Sequence, residues 1–167
     1  MRELTTTVDI DASPEAVWTV LTDFERYPEW NPFMRVAGRA NEGARLVVDL
    51  TPPDGRDFQF RPTVTRVDCG HEFRWLGHLF VPGLYDGEHR FVLEARDEGT
   101  QLTHAESFGG VFAGLINRFV GESTERGFEV MNAALKERVE SLATAEGNGV
   151  EASGPTRDAS TGDEVAV

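Results

Sequence analysis

Apolar residues follow a two-residue period over the first two thirds of the chain and a helical period after that. Residues 4–11 alternate and predict a first strand. Ser13 and Pro14 then mark a helix start, because serine caps helix N-termini and proline suits the first helical position. A second short helix is predicted over residues 24–29, since Pro32 disfavours helical backbone at the residue before it.

Six further segments combine alternating apolar residues with flanking turn residues, and we predict a strand for each. Glycine, proline and aspartate separate these segments, as in Pro52-Pro53-Asp54-Gly55 and Asp97-Glu98-Gly99. Short turns between consecutive strands indicate an antiparallel sheet. The predicted strands cover residues 33–38, 45–50, 58–67, 72–80, 85–95 and 101–108.

The pattern changes to helical spacing near the C-terminal end. We predict a long helix over residues 122–145, which would cover the concave face of the sheet. Residues 111–120 are apolar and could form a short helix or a lid. Residues 146–167 are small, polar and acidic, so we expect a disordered tail after one domain over residues 1–145. The apolar stripe of the helix comprises Phe128, Met131, Leu135, Val139 and Leu142.

Three segments resemble the START-like, or SRPBCC, superfamily, in particular its polyketide cyclase/dehydrase and lipid-transport group. They read VDIDASPEAVWTVLTDFERYPEWNPF, FRWLGHLFVPGLYDGEHRFVLE and TQLTHAESFGGVF, and the resemblance spans residues 2–144. It implies an α+β helix-grip fold, in which a curved antiparallel sheet of about seven strands wraps around a long C-terminal helix. The group includes cyclases, hydrolases, transport proteins and chaperone partners, so the fold alone does not assign a function.

The amino-acid composition excludes some classes of binding partner. The formal net charge of −13 argues against nucleic acid and against anionic membrane surfaces. Lys136 is the only lysine against fifteen arginines, which is typical of salt-adapted proteins but also fits an acidic protein from a GC-rich mesophile. No window is apolar enough for a transmembrane helix. The single cysteine, Cys69, and the lack of a signal-peptide core predict a cytoplasmic location.

Strand alternation places three titratable residues on the inner face of the predicted sheet. His104 and Glu106 alternate with apolar residues on one strand, and His89 does so on the neighbouring strand. We interpret them as candidate catalytic residues, with the carboxylate fixing an imidazole tautomer and raising its basicity for proton abstraction. Alternatively, they only orient a ligand or hold water. Their types also suit zinc, but nothing enforces the geometry, so we expect no metal and no cofactor.

Ten apolar residues are candidates for contact with a ligand, although ordinary core packing explains each of them equally well. The leading hypothesis is binding of a hydrophobic or aromatic small molecule, lipid-like or polyketide-like, in an internal cavity. A cyclase/dehydrase-type enzyme and a protein-interaction module are the alternatives, and the oligomeric state is left open. The candidates are Trp30, Phe33, Met34, Trp75, Phe91, Phe108, Phe112, Phe119, Phe128 and Met131.

Overall fold

The computed structural model describes residues 2–53, 56–78, 83–84, 86–111 and 113–151, with no side chains described for residues 2, 113–121 and 146–151. A short 3-10 turn, Phe24–Arg26, lies between the first two helices. The chain order is β1 (Arg2–Ile10), α1 (Pro14–Thr22), α2 (Tyr27–Trp30), β2 (Met34–Ala37), β3 (Val47–Leu50), β4 (Phe58–Phe60), β5 (Thr63–Asp68), β6 (Glu72–His78), β7 (Asp86–Arg96), β8 (Gly99–Gly109) and α3 (Ala113–Glu151).

The strands form two antiparallel sheets, one in the order β1-β8-β7-β6-β5 and one in the order β2-β3-β4. The α+β helix-grip prediction is confirmed, but the described strands number eight, because the segment predicted over residues 58–67 is divided between β4 and β5. Pro62 lies at the division and has no backbone N–H for a ladder. Backbone bonds still join the two sheets here, from Leu46 N to Pro62 O and from Val64 N to Ala44 O, each 2.9 Å.

The first helix begins as predicted. The Ser13 hydroxyl accepts a hydrogen bond from the Ala16 backbone N–H at 3.3 Å, and Pro14 occupies the first helical position. This pairing satisfies one of the N–H groups that a helix start leaves without a partner. The predicted second helix consists of the 3-10 turn followed by α2, which ends at Trp30.

The long helix runs in the same direction as β1. Asn132 contacts Thr6, the Lys136 ammonium donates to the Asp9 carbonyl at 2.7 Å, and the Asp11 N–H donates to Glu140 at 2.9 Å. The helix begins at Ala113, earlier than predicted, so the backbone of most of the possible lid is part of α3. It also continues past the predicted end at residue 145 to Glu151. Residues 152–167 of the predicted tail lie outside the described part of the chain.

The core lies between the larger sheet and α3. Its helix side follows the predicted stripe, with Phe128, Met131, Leu135 and Val139 buried, whereas Leu142 is exposed. Gly127 brings the helix close to the preceding segment, because a Cβ atom there would lie 2.2 Å from the Phe33 ring. Among the described helices, none combines the length and apolar character that crossing a membrane would need.

Candidate functional site

The pairing of β7 with β8 determines which polar groups meet in the core. The register is regular over the full length of both strands, and it sets His89 opposite Glu106 and Phe91 opposite His104. Within the described pairs, a register shift occurs only in β5, between Val64 and Arg66. Since no bulge interrupts β7 or β8, side chains keep their alternation and the three predicted catalytic candidates share the inner face.

These side chains belong to a continuous polar chain that crosses the interior from sheet to helix. The nearest carboxylate oxygen of Glu106 lies 3.6 Å from His89 Nδ1. His89 Nε2 lies 2.8 Å from His104 Nε2, and His104 Nδ1 lies 2.9 Å from Asn132 Oδ1. The Asn132 amide group donates to the Thr6 hydroxyl at 2.9 Å. Five side chains from β1, β7, β8 and α3 are therefore linked in series.

Burial shifts the pKa values of the titratable groups in this polar chain so that each group favours its uncharged form. It lowers the pKa of His89 to about 3, and it lowers the pKa of His104 well below the ordinary value. It raises the pKa of Glu106 to about 7. The sequence led us to expect a more basic imidazole, but desolvation by the surrounding core outweighs the nearby carboxyl group. Glu106 is therefore the member of the chain that titrates near neutral pH.

Aromatic rings enclose the two histidines. Trp75 on β6 stacks on His89 with 4.6 Å between ring centroids, and Phe128 on α3 stacks on His104 at 3.8 Å. Phe91 lies beside His104 at 4.5 Å. All three aromatic side chains are fully buried. Three predicted ligand contacts thus pack directly against the polar chain, which accounts for its strong desolvation.

Glu106 lies at one end of the polar chain, with 14% of its side chain exposed, and Thr6 at the other end is partly exposed as well. Its carboxyl group lies over Gly87 of β7, where a Cβ atom would approach the nearer oxygen to 2.6 Å. The glycine therefore provides the space that the carboxyl group occupies. Nearby, the buried indole N–H of Trp75 has no hydrogen-bond partner among the described residues, and such an orphaned donor is uncommon in a native core.

The other predicted ligand contacts are spread over the core. Phe33 packs against Phe128 with ring centroids 6.0 Å apart, and Trp30 packs against Tyr27 within α2 at 4.9 Å. Met34 on β2, Phe108 on β8 and Met131 on α3 are buried. Phe112 lies outside the described residues, and the described part of Phe119 is limited to its backbone.

Comparison with models of protein families assigns the chain to one family. The model of the family described as polyketide cyclase/dehydrase and lipid transport matches residues 1–144. The chain belongs to this family. No curated protein matches it. The resemblance inferred from the three sequence segments is thereby confirmed.

Solved structures with the same architecture support the fold of this cyclase/dehydrase and lipid-transport domain. A Thermus thermophilus protein, TTHA0849, is 20% identical, with a TM-score of 0.66 over 86% of this chain and 99% of that one. Protein CV1439 from Chromobacterium violaceum is 17% identical, with a TM-score of 0.66 over 83% and 96%. The di-domain ARO/CYC StfQ of the steffimycin biosynthetic pathway is 14% identical, with a TM-score of 0.58 over 81% and 51%.

Sequence reasoning missed three residues of the site in this family member. Asn132 lies four positions after Phe128, so it is a polar residue within the apolar stripe, and that position was a usable signal. Thr6 lies on the inner face of β1 and Gly87 on that of β7, yet neither residue type marks a site by itself. Among the described residues, no group of three or more histidine, cysteine, aspartate or glutamate side chains could hold a metal ion.

Proposed function

We propose that this domain binds an uncharged, largely apolar or aromatic small molecule whose polar atom lies against the Glu106 carboxyl group. The observation that supports it best is the position of this carboxyl group, which is partly exposed to water next to two histidines enclosed by aromatic rings. Ligand sites in proteins commonly combine an apolar lining with few polar groups that orient the ligand.

The surroundings of Glu106 fit this role. Gly87 leaves room for the carboxyl group itself, and the cross-strand neighbour of Glu106 on β1 is the apolar Leu4. The unpartnered N–H of Trp75 is a second donor in the same part of the core. Glu106 lies in β8 close to the point where the chain enters α3, so the ligand would lie toward that end of the interior.

Two matched probes test the proposal. We expect calorimetric titration to show that 2-acetylnaphthalene, which has a carbonyl oxygen, binds the wild-type protein more tightly than 2-ethylnaphthalene. A hydrogen bond of ordinary strength predicts a preference of about tenfold, near 1.4 kcal/mol. In Glu106→Leu both probes should bind with similar affinity. Glu129→Leu serves as the control, because it removes a carboxylate from the exposed side of α3.

The result that would contradict the proposal is equal affinity of wild type and Glu106→Leu for both probes, or no binding of either. Native mass spectrometry of gently purified protein complements the titration. We expect an additional mass that corresponds to a retained small molecule and disappears on denaturation.

A cyclase/dehydrase-type reaction is the second candidate function, and the titration range of Glu106 favours it. A general acid or base is most effective when its pKa lies near the working pH, and burial brings the pKa of Glu106 to about 7. If the retained molecule is a substrate, wild type should convert it, and Glu106→Gln should reduce turnover by a factor on the order of 100 or more. An unchanged molecule with wild type would argue for binding alone.

We also propose that the protein is cytoplasmic and adapted to salt. The net charge of −13 and the single, exposed thiol of Cys69 support these two assignments. Unfolding curves in low and in multimolar potassium chloride test the second one. A midpoint that does not rise with salt would contradict it.

A further inference from the structure

The donors and acceptors in the polar chain follow one order, which is set at one end by a backbone carbonyl group. The Thr6 hydroxyl donates to the carbonyl oxygen of His104 at 3.3 Å, and a carbonyl oxygen only accepts. With its hydrogen used there, the Thr6 oxygen accepts from the amide nitrogen of Asn132 at 2.9 Å. The Asn132 amide is thereby oriented with its oxygen toward His104, 2.9 Å from Nδ1.

This orientation determines where the histidines carry their hydrogens. Asn132 Oδ1 is an acceptor, so His104 Nδ1 must carry the hydrogen that it accepts. Burial keeps His104 neutral, and a neutral imidazole has one N–H, which leaves its Nε2 as an acceptor. The hydrogen in the 2.8 Å contact between the two Nε2 atoms then belongs to His89. His89 is also neutral, so its Nδ1 has a lone pair and no hydrogen.

The lone pair of His89 Nδ1 faces the carboxyl group of Glu106 at 3.6 Å. An ionised carboxylate would place a negative charge next to this lone pair in a desolvated place, which favours the protonated carboxyl group. Because 3.6 Å is longer than a hydrogen bond, His89 does not take up the carboxyl hydrogen, which is left for another acceptor. Among the side chains that the structure describes, the neighbours of this point on the other elements carry no charge: Leu4 on β1, Trp75 on β6 and Phe128 on α3. Among the described residues, His89 and His104 are the titratable groups next to Glu106 in the polar chain.

We propose that Asn132 and Thr6 are positioning residues, which fix the tautomers of His104 and His89 so that Glu106 keeps its proton and offers it to the ligand. The tautomers follow from the contacts and from the neutrality of both buried histidines, whereas the donation to a ligand rests on the proposed function. The proposal also specifies the ligand class of that site, an uncharged molecule with an acceptor oxygen such as a ketone, for which a protonated carboxyl group is a suitable donor.

The experiment is a long-range proton–nitrogen NMR spectrum of the uniformly labelled full chain without any ligand, in which protonated and unprotonated imidazole nitrogens resonate far apart. We expect hydrogen on Nδ1 of His104 and on Nε2 of His89. Hydrogen on Nε2 of His104, or a Glu106 carboxyl group that titrates in the ordinary range in the wild-type protein, would overturn the proposal.

The variant Asn132→Leu removes the acceptor that holds the His104 hydrogen. His104 can then donate from Nε2, and His89 can donate from Nδ1 to a Glu106 carboxylate. We expect the tautomers to switch in this way and the pKa of Glu106 to fall by roughly one unit, since a donor to the ionised form stabilises it. Unchanged tautomers in Asn132→Leu would contradict the positioning role.

Thr100→Val is the matched control, because it also removes a buried hydrogen bond, from Thr100 to the Ala12 carbonyl at 2.7 Å, outside the polar chain. It should leave the tautomers and the Glu106 titration as in wild type, and a switch there as well would contradict a specific role of Asn132. If Asn132→Leu does not fold, the wild-type spectrum decides. Since no ligand is present, failure here is distinguishable from failure of the probe titration.

Discussion

The two halves of the interior along α3 differ in what the helix presents to its neighbours. In the first half, Phe128 and Asn132 contact the histidines of β7 and β8, and we call this region the polar half. In the second half, Leu135 and Val139 continue the stripe without a polar member, and we call this the apolar half.

The difference teaches how one amphipathic helix can serve both stability and chemistry. Buried polar groups stabilise the fold little, because their hydrogen bonds replace hydrogen bonds to water, whereas apolar burial stabilises the fold directly. Glu106 and the histidines are therefore expected to contribute little to stability or to reduce it. The apolar half must then supply the larger share of the stabilising contacts of α3.

The largest effect is expected from Leu135→Ala, in the apolar half. Leu135 is fully buried, and the cavity left by its truncation should lower the free energy of unfolding by about 2–5 kcal/mol. Urea unfolding monitored by circular dichroism measures this. The control is Leu142→Ala on the same helix, where the side chain is 39% exposed and the loss should be much smaller. Similar losses in the two variants would remove the contrast between buried and exposed positions on α3.

The next effect concerns Glu106→Gln, in the polar half, and its sign depends on pH. Because burial raises the pKa of Glu106 from 4.5 to about 7, the wild-type carboxyl group favours the folded state fully below about pH 4.5. That contribution is lost as the pH rises through 7. At pH 8 the variant should therefore be more stable than wild type by up to about 3 kcal/mol.

At pH 4.5 the free energy of unfolding of Glu106→Gln relative to wild type should be lower than at pH 8 by this same amount. Urea unfolding at both pH values checks this, and Glu129→Gln on the exposed side of α3 controls for the change in net charge. The contrary result is a variant that is less stable than wild type by the same amount at pH 8 and at pH 4.5. It would show that burial does not strain the carboxyl group.

A smaller loss is expected from Gly127→Ala, at the start of the polar half. Alanine is the better helix former by about 1 kcal/mol, but its methyl group would overlap the ring of Phe33. Overpacking should prevail and lower the free energy of unfolding by a net ~1–2 kcal/mol. Thermal unfolding measures it, and Glu129→Ala at an exposed position of α3 is the control. A stabilised Gly127→Ala protein would mean that Phe33 can move aside.

The smallest effect is expected from Ser13→Ala, at the start of α1, which packs against α3. The lost cap to the Ala16 N–H should cost about 1 kcal/mol. The same unfolding measurement applies, with Ser141→Ala on the exposed surface of α3 as the reference. A change no larger than that of the reference would indicate that solvent replaces the cap.

Alternation was sufficient to predict that His89, His104 and Glu106 face inward, because β7 and β8 pair without a bulge. Their order in the polar chain was not predictable from alternation, since it depends on register. The turn was expected to comprise Asp97-Glu98-Gly99, whereas Arg96 pairs with Gly99 and two residues form the turn. A different turn length would place another residue opposite His89.

The division of the strand predicted over residues 58–67 had a signal in the sequence, because Pro62 cannot donate to a ladder. Asn132 had one too, as a polar residue in an apolar stripe. The titration of Glu106 near neutral pH had none. It results from the burial of the carboxyl group, which exists only in the folded protein, where β1, β7 and β8 come together around it.

The unbroken length of α3 has a consequence for how a molecule could enter. The second half of the helix is attached to β1 through Lys136 and Glu140 in addition to its apolar contacts. These contacts would hold the second half in place if the first half separated transiently from the sheet. Backbone amides near Phe128 should therefore exchange with deuterated water sooner than those near Leu135. The second half of the helix would stay attached while the first half opens a path for the ligand.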